Sequence, residues 1–209
     1  MLNLFYSGGP LMYPLLACSL IALTVVIERA IFWAGVEYHR RRDLVDEVLD
    51  LSRQGQWETV RAKVRGCRDY VIKILVSGIL HRDFSPGKAM EAAAADELQR
   101  MRRFMGVLDT MITVAPLLGI LGTVVGIINS FEMLGVAGIE EPAKVTAGIA
   151  QALITTAAGL SIAIFAVFPY NYFNARVENA ALNIEKYATS LEIVYQKTAP
   201  PPGRAEESR

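Results

Sequence analysis

Three apolar blocks, each about as long as a lipid hydrocarbon core is thick, constrain this chain more than any other feature. Leu11 to Ile27 follows Pro10 and closes at Glu28-Arg29; two more blocks run at about Thr110–Phe131 and Gly148–Pro169. A helix rises 1.5 Å per residue, so about 20 apolar residues cross a hydrocarbon core of ~30 Å. In hydrocarbon every backbone polar group must be satisfied internally, so such blocks become helices. The expected fold is therefore all-α: a polytopic membrane protein with three transmembrane helices and long cytoplasmic helical extensions. No strand alternation and no internal repeat is found.

The second block carries a distinctive face. In Ala115 to Phe131, APLLGILGTVVGIINSF, residues Gly119, Gly122, Thr123, Gly126 and Ser130 recur at steps of three and four. That spacing gathers them on one side of a helix, while Leu117, Leu121, Val125 and Ile128 point elsewhere. Small residues let helix backbones approach closely in lipid, and hydroxyls can bond across helices. The third block, GIAQALITTAAGLSIAIFAVFP, supplies a second polar helix with Gln151, Thr155, Thr156, Gly159 and Ser161. An amide in hydrocarbon costs free energy unless paired, so Gln151 should face another helix or water. Gln151 and Thr155 share a face; Thr156 lies about 100° further round. The stripe reads either as a packing seam or as part of a pore lining.

Charge sets the expected orientation. Of 21 Lys and Arg, 15 fall between the first and second blocks, Lys144 alone lies between the second and third, and five follow the third. The positive-inside rule places the large loop and the tail in the cytoplasm, with the N-terminus and the second loop outside. The first block is expected to be retained as a span, because Met1–Pro10 contains no Lys or Arg and no small-residue cleavage site follows.

The expected organisation is then residues 1–34 for the outer N-terminus and first span, and 35–104 for a cytoplasmic helical region. Residues 105–131 form the second span, 132–147 an outer loop, 148–170 the third span, 171–197 a cytoplasmic helix and 198–209 a disordered tail. Within the cytoplasmic region, Leu44, Val45, Val48, Leu49 and Leu51, a break at Gln54-Gly55-Gln56, then Trp57, Val60, Val64 and Cys67 read as a helical hairpin. Ser85-Pro86 reads as a helix start, Ser85 capping and Pro86 at the first position. With no breaker before Pro116, one continuous helix is expected from Pro86 to Phe131, roughly 70 Å at 1.5 Å per residue. Beyond Pro169, an expected kink site, the stripe Val177, Ala181, Ile184, Ala188, Leu191 and Tyr195 predicts a helix packing beside that rod.

Catalytic patterns are missing. There is no GxxxxGK[ST], no HExxH and no CxxC, so no enzymatic activity and no cofactor are expected. Cys18 falls in the first span and Cys67 in a cytoplasmic segment, so no bridge between them is expected, and His39 and His81 lack the Cys or His neighbours of a metal site. Formal net charge is +0, and no nucleic-acid partner is expected. Between Thr110 and Phe131, and between Gly148 and Asn171, there is no Asp, Glu, Lys, Arg or His. Proton passage through hydrocarbon needs a titratable group at depth, and these two spans do not bring one.

Taken together, APLLGILGTVVGIINSF, GIAQALITTAAGL and the Ile27-Glu28-Arg29 close of the first block resemble the TolQ/ExbB/MotA proton-channel family, most closely its three-span ExbB and TolQ branch. The resemblance implies a homopentamer in the bacterial inner membrane, enclosing the single spans of an ExbD- or TolR-like partner whose membrane aspartate carries the proton. It implies coupling of the proton motive force to mechanical work at the cell envelope, in transport or envelope integrity, with a TonB- or TolA-like protein as a further partner. It assigns Thr123 and Thr156 to the pore near the partner's aspartate; the helix period adds Thr155 and Gln151 to the same polar corner, as further expected pore-lining residues. Gly119, Gly122, Gly126 and Gly159 fall to helix packing. Gln151 departs from the family, which commonly carries glutamate there; an amide cannot take up a proton at physiological pH. Two alternatives stand beside this reading, a non-conducting membrane scaffold and a MotA-like stator, although that branch has four spans.

Overall fold

The computed structural model describes residues 8–82, 84–137 and 142–198. Among these it forms seven helices: α1 Met12–Tyr38, α2 Arg42–Arg53, α3 Trp57–Val64, α4 Tyr70–Leu80, α5 Pro86–Arg102, α6 Met105–Ala137 and α7 Pro142–Thr198. No strand occurs among the described residues. Three stretches are long and apolar enough to cross a membrane, and they lie where the three apolar blocks predict them.

The chain divides into two units, residues 1–30 with 104–174, and residues 31–103 with 175–209. The first unit holds the apolar parts of α1, α6 and α7. Its interior is a column of small and medium side chains: Ala22, Val25, Leu108 and Ala166 in one cluster, Leu15, Cys18 and Ala115 in the next. Its outer surface is aliphatic and aromatic, with Leu16, Leu20, Leu23, Leu117, Leu121, Leu160, Phe165 and Phe168 exposed. Such a surface is costly in water and ordinary against lipid tails. Exposed hydroxyls in these helices bond back to their own backbone, Thr24 to the Leu20 carbonyl at 2.7 Å and Ser161 to the Ala157 carbonyl at 2.7 Å, as polar groups in hydrocarbon must.

In the second unit the start of α4 is fixed by Asp69. Its carboxylate accepts from the backbone N–H of Val71 at 2.8 Å and Ile72 at 3.5 Å, and also from the N–H of Arg41 at 2.8 Å. One acid thus caps a helix and ties down the segment before α2. The apolar face of α4 packs along α5, with Gly78 against Met90, the Ser77 hydroxyl on the Ala89 carbonyl at 3.1 Å, and a Lys73–Glu97 ion pair at 2.9 Å. On α7, Val177 and Leu191 are fully buried, and Gly87 of α5 lies beneath the Glu192 carboxylate.

Some expectations are corrected. The unbroken helix from Pro86 does not form: α5 ends at Arg102, Phe104 adopts φ 63°, and α6 starts at Met105. No proline or glycine marks that break; an aromatic residue occupies the left-handed region, which only tertiary surroundings can hold. The expected hairpin forms, α2 and α3 flanking a break at 54–56 where Gly55 has φ 70°, and Gly66 at φ 80° turns the chain once more before α4. Ser85 precedes α5 but makes no side-chain cap, so Pro86 alone supports that start. The outer loop expected over 132–147 is mostly helix, since α6 runs to Ala137 and α7 begins at Pro142. The helix expected beyond Pro169 forms as part of α7, which is 57 residues long and contains that proline. The tail expected from 198 lies, after Thr198, outside the described residues.

Candidate functional site

Within the first unit, the small-residue faces of α6 and α7 meet, and their contact can be followed glycine by glycine. A Cβ added at Gly119 would stand 3.0 Å from the Thr156 Cα and 3.1 Å from the Thr155 carbonyl oxygen. One at Gly126 would come within 2.8 Å of the Ala152 Cβ, and one at Gly122 would collide with the Thr155 hydroxyl. From the other side, a Cβ at Gly159 would strike the Ala115 carbonyl oxygen and lie 3.2 Å from the Gly119 Cα. At Gly119 and Gly159 backbone meets backbone, and at Gly122 and Gly126 a glycine admits the side chain of Thr155 or Ala152; a side chain at any of the four would prevent the approach.

The hydroxyls of the seam differ in what they do. Thr155 is 1% exposed and donates to the Ala152 carbonyl at 2.7 Å, so it is sealed between the helices. Ser130, 2% exposed, donates to the Gly126 carbonyl at 2.8 Å and faces Gly148. Thr123 stands half-buried at the edge of the glycine stripe and donates to the Ile120 carbonyl at 2.6 Å. Thr156, also half-buried, reaches across to the other helix and donates to the Gly119 carbonyl at 2.8 Å. Gln151 lies higher on α7, its amide nitrogen filling the space where a Cβ at Gly9 would stand; Gly9 has φ 72°.

The arrangement has a chemical consequence. Each threonine spends its hydrogen on a helix carbonyl, which leaves the oxygen as an acceptor. Thr123 and Thr156 can therefore receive a hydrogen bond from water or from a protonated carboxylic acid, while their committed hydrogens are unavailable to a carboxylate. Neither α6 between Thr110 and Phe131 nor α7 between Gly148 and Asn171 holds a charged side chain.

The four glycines are thus brought together with Thr155 and Thr156, while Thr123 and Gln151 lie at its margins. Two contributors were not singled out in the sequence: Ala115, whose carbonyl lies against Gly159, and Ala152, which fits against Gly126. Their signal was present, since Ala152, Thr155 and Gly159 are spaced three and four apart as the glycines of α6 are. Among the described residues no cluster of three or more His, Cys, Asp or Glu could hold a metal ion.

Comparison with known proteins adds what geometry alone does not supply. The family model described as the MotA/TolQ/ExbB proton channel family matches residues 74–186. The chain belongs to this family. It is 36% identical over 206 residues to a putative biopolymer transport protein, ExbB-like 1, of Synechocystis sp., covering 94% of this chain and 80% of the relative. A second Synechocystis protein, ExbB-like 3, is 34% identical over 197 residues, covering 91% and 93%. The Tol-Pal system protein TolQ of Pseudomonas aeruginosa is 43% identical over 110 residues, 53% of this chain and 48% of that one. The matched family segment contains every residue of the α6–α7 seam from Ala115 to Gly159.

Proposed function

We propose that this protein is the multi-span subunit of an inner-membrane, proton-driven complex. In this reading it encloses the single span of an ExbD- or TolR-like partner as a homo-oligomer, a pentamer by analogy with the family. The partner supplies the titrating aspartate, and the complex couples the proton motive force to work at the cell envelope, in transport or in envelope integrity. A TonB- or TolA-like protein would receive that work. The subunit itself is not an enzyme. The large basic loop and the tail lie in the cytoplasm and the N-terminus lies outside, in keeping with 15 of 21 basic residues between the first two spans.

The observation that carries the reading is the pair Thr123 and Thr156, half-buried hydroxyls with free acceptor lone pairs on helix stretches, 110–131 and 148–171, that hold no charged residue of their own. Such oxygens suit a protonated partner acid in transit. Gln151 sits further along the same route as a neutral hydrogen-bonding group, and Thr155 with the glycines keeps the wall closed. The scaffold reading draws on the same hydrogen bonds, because they already satisfy both hydroxyls within the chain.

The double variant Thr123→Val, Thr156→Val separates the two. It keeps side-chain shape and removes the acceptors. A proton-motive-force-dependent phenotype should fall severalfold with the amount of complex unchanged. Full activity in the double variant would leave the scaffold reading ahead.

A further inference from the structure

The second unit contains a cavity of about 460 Å³ walled by the end of α1, the start of α4 and the later half of α7. Four cations line it, Arg40, Arg42, Arg176 and Lys186, against one carboxylate, Glu37. That carboxylate is already engaged, since it accepts from Arg176 Nη2 at 2.6 Å. The charge of the lining is therefore strongly positive, and the membrane reading does not use it.

Two donors in the walls of this same cavity are buried and have no acceptor: the indole Nε1 of Trp33 and Nη1 of Arg40. Trp33 is 5% exposed and the Arg40 side chain 11%. Buried donors are ordinarily paired, and leaving them bare costs free energy. The rest of the Arg40 guanidinium is held by Tyr70 and Asp69, which leaves Nη1 bare. Its guanidinium carbon lies over the Tyr70 ring at 4.5 Å, and its Nε is 3.9 Å from Asp69, whose oxygens are committed to the backbone of Arg41, Val71 and Ile72. Arg176 packs over the face of Trp33 at 5.3 Å, so the indole is oriented by a cation without being hydrogen-bonded by it. What is missing is an acceptor-only, anionic group with several oxygens.

We propose that this cavity binds a phosphate group. A phosphate offers oxygens to an arginine fork, to an indole N–H and to an ammonium at once, and the space admits the phosphate with a few attached carbons. The phosphate could be the headgroup of a membrane phospholipid or a free soluble phosphate; the chemistry at the site is the same.

The test uses the full chain in a phosphate-free detergent. The protein has two tryptophans, so Trp57→Phe leaves Trp33 as the reporter. Its emission is followed while inorganic phosphate, short-chain phosphatidylglycerol or short-chain diacylglycerol is added. A saturable change is expected with phosphate, phosphatidylglycerol or both; phosphate alone identifies a soluble ligand, and phosphatidylglycerol alone a lipid headgroup. Arg42→Gln and Lys186→Gln should each weaken it at least tenfold, Lys186→Arg should retain it, and Lys63→Gln, outside the cavity, should not alter it. Absence of a saturable response, an equal response to diacylglycerol, or a response that the Gln variants leave unchanged while still folded by circular dichroism would overturn the site. If the Gln variants instead change the mass of the assembly and no phosphate binds, a second copy fills the cavity and the proposal fails.

Discussion

The Thr156 hydroxyl donates to the Gly119 carbonyl oxygen at 2.8 Å, joining α7 to α6 where their backbones pass closest. Gly119 makes this possible twice over: its missing side chain admits the Thr156 Cα, and its carbonyl keeps a lone pair beyond its own helix bond. In membrane proteins such interhelical bonds average about 0.6 kcal/mol. Thr156→Val should therefore lower thermal stability only slightly while lowering coupled activity, and Thr156→Ser should restore both. A Val variant with full activity and reduced stability would confine Thr156 to packing.

Replacing Gly122 tests the seam itself. Leucine there would be driven into Thr155, whose surroundings are closed on every side, and Gly159→Leu would meet the Ala115 carbonyl. Both should lose thermal stability by several kcal/mol, in the range of overpacking or more. Gly106→Ala is the matched control, because nothing lies within 4 Å of a Cβ at that position. Detergent-solubilised melting curves decide it: equal behaviour of Gly122→Leu and Gly106→Ala would mean the close approach is not maintained in the membrane.

Orientation is accessible to labelling. In a background with Cys18 and Cys67 replaced, cysteines at Glu140 and at Arg61 should react oppositely with an impermeant thiol reagent added to intact cells. Glu140→Cys should label and Arg61→Cys should not. Labelling of Arg61→Cys from outside would reverse the topology.

Tyr70 gives the second unit an alkaline limit. Burial pushes its phenol above the ordinary value of about 10, Asp69 adds to the rise, and the Arg40 charge opposes it. Above pH ~10 the unfolded chain has released a proton that the folded chain still holds, so folded stability falls as pH rises through that window; below it the contribution is fully present. Tyr70→Phe should flatten this alkaline loss, read by denaturation at stepped pH, and should remove one late-titrating phenol from the tyrosinate absorbance. Identical alkaline curves for both proteins would show that Tyr70 ionises as an exposed tyrosine does.

The sequence by itself determined the three spans, their order and the small-residue faces, because membrane crossing depends on local quantities: the length of an apolar run and the period of its glycines. It also carried the family, whose motifs coincide with the α6–α7 seam. Helix termini were less legible. The Ser85-Pro86 start was visible in two residues, and Asp69 is a local cap through Val71 and Ile72, but its second role, holding the N–H of Arg41 28 positions away, has no local sign. The break at Phe104 had no local sign at all; Arg29, 1% exposed, lies with its guanidinium 5.8 Å from that ring, a contact between residues 75 positions apart. Only the tertiary structure decided which hydroxyl crosses between helices. Thr155 and Thr156 are chemically the same and adjacent, but a rotation of about 100° seals one beneath Gly122 and sends the other to the Gly119 carbonyl. The period of a helix orders its faces relative to each other, whereas the facing element, here a carbonyl exposed by a glycine 37 residues earlier, fixes which face does what.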